Sequence, residues 1–230
     1  MSYVIASPVQ ASVPVRATNL RFPVRRIYCV GRNYNDHVVE MGGVAGREPP
    51  FFFQKPADAV LLAGDFPYPS RSSNVHHEVE MVVALQSGGR NISTTEASQH
   101  IYGYAVGIDM TRRDLQAEAK KQARPWEIAK SFDHSAPISD IAPISETGFL
   151  EHAEISLHVN GVRKQHSDIS EMIWNVPEII AELSTLFELH GGDIVFTGTP
   201  AGVGPVSIGD RLTAAVAGVG ELSLRVCKPS

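Results

Sequence analysis

Apolar runs of strand length recur along the whole chain, and glycine or proline cuts nearly every one of them short. Residues 27–30, 51–53, 78–85, 102–109, 155–159 and 193–197 read as strands, and the tail 211–226 alternates as one or two more. Asn160-Gly161 is the turn of a hairpin that begins at 155. Helical spacing is confined to a few places. Asn35 is placed to cap a short helix that stops at Gly42-Gly43. In 112–124, Leu115, Ala119 and Ala123 repeat on one face and charges fill the other. Residues 170–174 make a helical turn, and Asn175 caps a helix over 176–189 with Pro177 in its first turn. Residues 64–74, rich in Gly, Pro, Ser and Asn, read as a loop. This order is not an alternating doubly wound sheet. It predicts an α+β, strand-rich mixed fold with a few short helices.

At roughly 150 residues per domain, 230 residues make one domain, or one domain and an arm. Residues 1–24 alternate Val, Pro and small polar residues and read as an N-terminal arm or edge strand; 25–230 read as a single catalytic domain. The chain is 43% hydrophobic and 20% charged, which excludes intrinsic disorder. Its net charge of −5 gives no footprint for nucleic acid or an anionic membrane, so the expected partner is a small molecule, bound through a cation. Cys29 and Cys227 cannot form a disulfide framework or a cysteine zinc site, and Cys29 reads as a buried strand residue. No run approaches the roughly 18 apolar residues of a membrane span. The first residues lack the pattern of a signal peptide, so the expected location is the cytoplasm.

Chemistry concentrates at a few points. In Glu78-Val79-Glu80, residues two apart on a strand share a face, so both carboxylates lie side by side while Val79, Met81 and Val83 point to a core. Two such carboxylates repel unless a cation or proton sits between them. The apolar strand over 102–109 delivers Asp109 at its end, and three carboxylates without a cysteine suit Mg2+ or Mn2+. The other reading of the pair is a solvated strand face. His76 and His77 read as loop or supporting residues. On a helix, His37 and Glu40 share a face, so Glu40 can orient the imidazole as in a general-base dyad; alternatively, Glu40 merely supports the helix and His37 is a surface residue. Lys130, in an apolar setting, can stabilise an oxyanion or extend to water. The loop 198–204 has no phosphate-loop lysine and no Rossmann spacing, which argues against a nucleotide, and no Gly-x-Ser-x-Gly elbow for a serine hydrolase exists.

Taken in order, these pieces resemble the fumarylacetoacetate hydrolase family. The matching residues are Gly31-Arg32-Asn33-Tyr34 with His37 and Glu40, Lys55-Pro56, His77-Glu78-Val79-Glu80, Gly107-Ile108-Asp109-Met110-Thr111 and Arg113-Asp114-Leu115-Gln116. Ala129-Lys130-Ser131-Phe132, Val159-Asn160-Gly161, Met172-Ile173 and Thr197-Gly198-Thr199-Pro200 follow, with Gly202-Val203-Gly204-Pro205 after them, so the match runs from about residue 26 to 226. The resemblance implies a mixed β-sandwich roll, a homodimer, and Mg2+ or Mn2+ on Glu78, Glu80 and Asp109. It implies catalytic roles for His37, Glu40 and Lys130, with the dyad in a lid, and substrate contacts from Arg32, Arg113, Gln116 and Thr199. The activity it implies is hydrolysis of the carbon–carbon bond of an acylpyruvate, with fumarylpyruvate yielding fumarate and pyruvate. The alternative on the same site is oxaloacetate decarboxylation or isomerisation of a diacid.

Overall fold

A computed structural model of the chain describes residues 3–229; residues 1 and 2 of the expected arm and residue 230 lie outside the described residues. Two sheets form the body. In the six-stranded sheet the order is Ala142–Pro143, Ile101–Ile108, Val79–Leu85, Asp193–Phe196, Arg26–Gly31 and Phe51–Lys55. All its pairs are antiparallel except Asp193–Phe196 with Arg26–Gly31. The five-stranded sheet runs Val162–Asp168, Glu154–Val159, Arg211–Val216, Gly220–Cys227 and Gly64–Pro67.

Alternation along the strands decides how these layers stack. Met81, Val83, Val106 and Ile108 from the first sheet meet Ile155, Leu157, Leu212 and Leu224 from the second, and Ile179, Ile180 and Leu183 of helix Val176–Leu186 join that core. The opposite face of the first sheet presents Ile27, Cys29, Val82, Ala84 and Phe196 to a separate cluster containing Val13, Val15, Phe22, Ile138 and Ile141. A sheet covered on both faces needs nearly continuous apolar runs, which is why residues 79–85 and 101–108 carry so few polar side chains. The fold is α+β and strand-rich.

Several local features differ from the sequence expectation. Strands Ser12–Pro14 and Arg21–Pro23 pair as a hairpin whose Val13 and Phe22 are core residues, so this segment covers a sheet face rather than projecting. The expected loop over 64–74 contains strand Gly64–Pro67, which pairs in parallel with Gly220–Cys227 and buries Phe66; main-chain pairing at a sheet edge requires no side-chain periodicity. His76 and His77 lie on a short strand, Val75–His77. Asn35 is the first residue of helix Asn35–Glu40, with Tyr34 at the cap position, and its side chain accepts from Gly46 N at 3.1 Å instead. Helix Arg113–Lys121 is shorter than expected. Helix Val176–Leu186 keeps its Asn175–Glu178 capping box but ends early, where Phe187 turns extended and packs 5.2 Å from the Tyr28 ring.

Four strand ends meet at one end of the six-stranded sheet: the start of Val79–Leu85 and the ends of Ile101–Ile108, Arg26–Gly31 and Asp193–Phe196. Gly103 sets the other end, because a Cβ there would collide with the Ala142 backbone of the adjoining strand. Gly103→Ala is therefore expected to cost about 1–3 kcal/mol and lower Tm by roughly 2–10 °C. Gly46→Ala, where a Cβ meets open space, should stay within about 0.5 kcal/mol of the parent by the same thermal melt.

Candidate active site

The converging strand ends carry three buried carboxylates, Glu78, Glu80 and Asp109. Glu78 occupies the break between strands Val75–His77 and Val79–Leu85, and Glu80 follows two residues later. Asp109 leaves the end of Ile101–Ile108, and its amide donates to the Glu78 carbonyl at 2.8 Å, locking the two residues together. One carboxylate oxygen from each of Glu78, Glu80 and Asp109 lies within 4.8 Å of the others, and none of the three residues is more than 4% exposed. The Glu-x-Glu pair is thus not a solvated strand face.

Three cations approach this acidic group. Lys130, at the end of helix Glu127–Lys130, donates from Nζ to Glu78 Oε2 at 2.7 Å, Asp109 Oδ2 at 2.6 Å and Thr111 Oγ1 at 2.7 Å. Arg113 pairs with the other oxygen of Glu78. Lys55 Nζ lies 2.8 Å from Asp109 Oδ1 and donates to the Lys130 carbonyl. Burial alone would pull the Lys130 ammonium down, but Asp109 and Glu78 outweigh it and hold the charged form. Burial likewise opposes ionisation of Glu78, yet Lys130 and Arg113 keep its carboxyl below the usual range.

Glu80 differs. Its Oε2 accepts from Gly198 N at 2.7 Å, but among the described residues it has no ion-pair partner. Burial, followed by repulsion from Asp109 and Glu78, pushes its carboxyl well above the ordinary value. Asp109 Oδ1 is also incompletely satisfied: Lys55 approaches it out of hydrogen-bond alignment, leaving a buried oxygen without a hydrogen-bonded partner. An unpaired buried carboxylate, an orphaned oxygen and an all-oxygen donor set fit a hard divalent cation such as Mg2+ or Mn2+.

His37 is only 6% exposed, which removes the surface-residue reading. Its Nδ1 lies 3.0 Å from Glu40 Oε2, while Glu40 Oε1 accepts from Gly202 N at 2.9 Å and so ties the short helix to the glycine-rich loop. His37, Arg32, Arg113, Gln116, Lys130 and Thr199 line one cleft with the three carboxylates, and Glu40 stands behind His37. The space left open among these side chains is about 40 Å³.

The sequence expectation assigned no role to several residues that support this group. Lys55 follows the run 51–53 and turns inward to face Asp109. Gln165 lies on the polar strand Val162–Asp168, where no pattern distinguishes it from its exposed neighbours. Its buried Oε1 lies 3.0 Å from His77 Nδ1 and accepts from Val79 N at 3.0 Å, and its Nε2 donates to Thr199 Oγ1 at 2.7 Å and to the Pro200 carbonyl at 2.8 Å. Asn33 donates to the Trp174 and Thr197 carbonyls at 2.9 and 2.8 Å, joining two loops. His76, by contrast expected as a loop or supporting residue, sits 3.4 Å from Arg113 Nε, and burial together with that guanidinium lowers its pKa to about 4.

A buried carboxylate triad beside a histidine–glutamate pair, in a cleft at the end of a mixed sheet, defines a small-molecule hydrolase on a β-sandwich. The chain belongs to the fumarylacetoacetate hydrolase family: residues 26–227 match the family model described as fumarylacetoacetate (FAA) hydrolase C-terminal. It is 44% identical over 180 residues to the fumarylpyruvate hydrolase of Ralstonia sp, covering 78% of this chain and 93% of that protein. It is 40% identical over 195 residues to the oxaloacetate tautomerase YcgM of Escherichia coli K12, covering 84% and 89%. The crystal structure of fumarylpyruvate hydrolase from Pseudomonas aeruginosa in complex with Mn2+ and pyruvate superposes with a TM-score of 0.97 at 50% identity, over 99% of this chain and 100% of that one.

Binding of Mg2+ or Mn2+ at about 100 times Kd should stabilise the fold by about 2.7 kcal/mol, or roughly 5–10 °C in a thermal melt. Because the Glu80 carboxyl is raised, protons compete with the cation there, and the metal-induced shift should grow as pH rises. Glu80→Gln mimics the protonated group, so the metal-free protein should melt at or above the parent temperature while the metal-induced shift disappears. A full metal shift in that variant would contradict the site.

Proposed function

We propose that the chain is a divalent-cation-dependent hydrolase that cleaves the carbon–carbon bond of an acylpyruvate, fumarylpyruvate above all, to fumarate and pyruvate. The observation that carries this reading is the His37–Glu40 pair sharing one small cleft with the three carboxylates. When bound to Glu78, Glu80 and Asp109, a divalent cation would supply a Lewis acid for the carboxylate and 2-keto oxygens of the pyruvate end.

His37 has Nδ1 held by Glu40, which leaves Nε2 to take a proton from water as the water oxygen bonds to the 4-carbonyl carbon. The three donors of Lys130 are all committed to Glu78, Asp109 and Thr111, so this residue positions the carboxylates rather than reaching an oxyanion. Thr199 accepts from Gln165, and its own proton is left to donate to the developing oxyanion at the 4-position. Gln116 has its amide oxygen taken by Arg113 at 2.6 Å, so it presents an NH2 group to the substrate. As the tetrahedral centre collapses, the bond between carbons 3 and 4 breaks and its electron pair passes to the pyruvate fragment. His37, now protonated, returns a proton to that fragment, leaving fumarate and pyruvate.

A second reading, oxaloacetate tautomerisation or decarboxylation, is favoured by the similarity to the Escherichia coli tautomerase. It needs the pyruvate end of the site but no water attack. The proposal extends to a cytoplasmic homodimer acting in gentisate catabolism. Partly exposed Phe51 and exposed Ile128 give apolar surface at the open edge of the six-stranded sheet, and light scattering of the eluted protein tests the dimer. Among the described residues no helix is long and apolar enough to cross a membrane.

His37→Ala should lower kcat on fumarylpyruvate by about 10²–10⁴-fold, the usual worth of a general base, while keeping the metal-induced thermal shift. Parental kcat in that variant would remove the dyad from the mechanism. If oxaloacetate turnover falls far less than fumarylpyruvate turnover, water activation is the specific task of His37.

A further inference from the structure

Besides the carboxylates, Arg32 and Lys120 line the cleft, and among the described residues neither has an acidic ion-pair partner. Lys120 continues a stripe that the substrate positions already define: Arg113, Gln116 and Lys120 follow one another at spacings of three and four on helix Arg113–Lys121, so all three share a face. The Lys120 ammonium stands 5.1 Å from the centre of the Trp126 ring, and Trp126 meets Phe51 edge-to-face at 5.5 Å, so two aromatic rings set nearly at right angles adjoin the cation. Burial and then repulsion from Arg113 and Arg32 pull Lys120 below the ordinary lysine value, against an opposing pull from Glu78.

We infer that Arg32 and Lys120 form an anion subsite for the far carboxylate of a dicarboxylic acyl group, with Phe51 and Trp126 flanking its planar carbon chain, so that Lys120 is a specificity-determining residue. This rests on the acylpyruvate hydrolase reading and deepens it: the pyruvate end lies toward the carboxylates and Lys130, and the acyl end must finish in a negative charge. An acyl group ending in a methyl leaves both cations unanswered. A purely structural Lys120, braced on Trp126, would instead weaken every substrate alike.

The test compares kcat/KM for fumarylpyruvate and for acetylpyruvate, whose acyl group is neutral, in the Mn2+-loaded parent, Lys120→Gln, Lys120→Arg and Arg32→Gln proteins. The ratio of fumarylpyruvate to acetylpyruvate should fall about tenfold or more in Lys120→Gln, mainly through KM, and in the same direction in Arg32→Gln. It should recover to within about threefold of the parent in Lys120→Arg, which restores the charge. A ratio that stays within about threefold in both neutral variants overturns the subsite even if both rates drop. A parent enzyme that hydrolyses neither substrate overturns the hydrolase reading itself, so the two failures are distinct.

Discussion

Everything at the working end of this protein is organised around a buried charge balance. Glu78, Glu80 and Asp109 are placed in the interior, where an isolated carboxylate is costly, and Lys130, Lys55 and Arg113 approach them. Removing one partner from such a group leaves an uncompensated buried charge, typically a loss of about 3–5 kcal/mol. Yet the pairing is uneven: Lys130 answers Glu78 and Asp109, whereas among the described residues Glu80 has a backbone amide, Gly198 N, and no ion-pair partner. That uneven pairing, with the orphaned Asp109 Oδ1 and an all-oxygen donor set, is what fits the cluster to a hard divalent cation.

The same cluster explains why the surrounding loops are tied as they are. Glu80 receives Gly198 N, Glu40 receives Gly202 N, and Gln165 receives His77 and Val79 while donating to Thr199 and Pro200. The glycine-rich loop therefore touches the acidic strand, the second sheet and the His37 helix at once. Gly198 lies at φ +98, and a Cβ there would press on Asn33, so the loop can pass this close only with glycine. Orientation of the dyad and placement of the Thr199 hydroxyl are consequences of one shared loop.

Much of this was legible in the sequence because the chemistry follows strand geometry. The i, i+2 spacing of Glu78 and Glu80, and the apolar run delivering Asp109, needed only the pleat to be read. The i, i+3 spacing of His37 and Glu40 needed only a helical turn. Lys55 and Gln165 escaped because their partners are far away in the chain: Asp109 ends a strand with which Phe51–Lys55 does not pair, and Gln165 acts from the other sheet. The strand Gly64–Pro67 was hidden among turn-forming residues, since its identity is set by backbone pairing to Gly220–Cys227. Lys120 continues a helical stripe that can be traced in sequence, but its place in the cleft depends on how that helix packs beside Trp126.

The most direct test of the account follows the ultraviolet absorbance of fumarylpyruvate with chelator-stripped protein, before and after Mg2+ or Mn2+ is restored, with oxaloacetate alongside. The account predicts no loss of the diketo-acid absorbance without metal, and rapid loss with it, accompanied by fumarate and pyruvate in equal amounts. Persistent fumarylpyruvate in the presence of metal, with oxaloacetate consumed or tautomerised, would contradict carbon–carbon hydrolysis and leave the carboxylate cluster serving a different reaction.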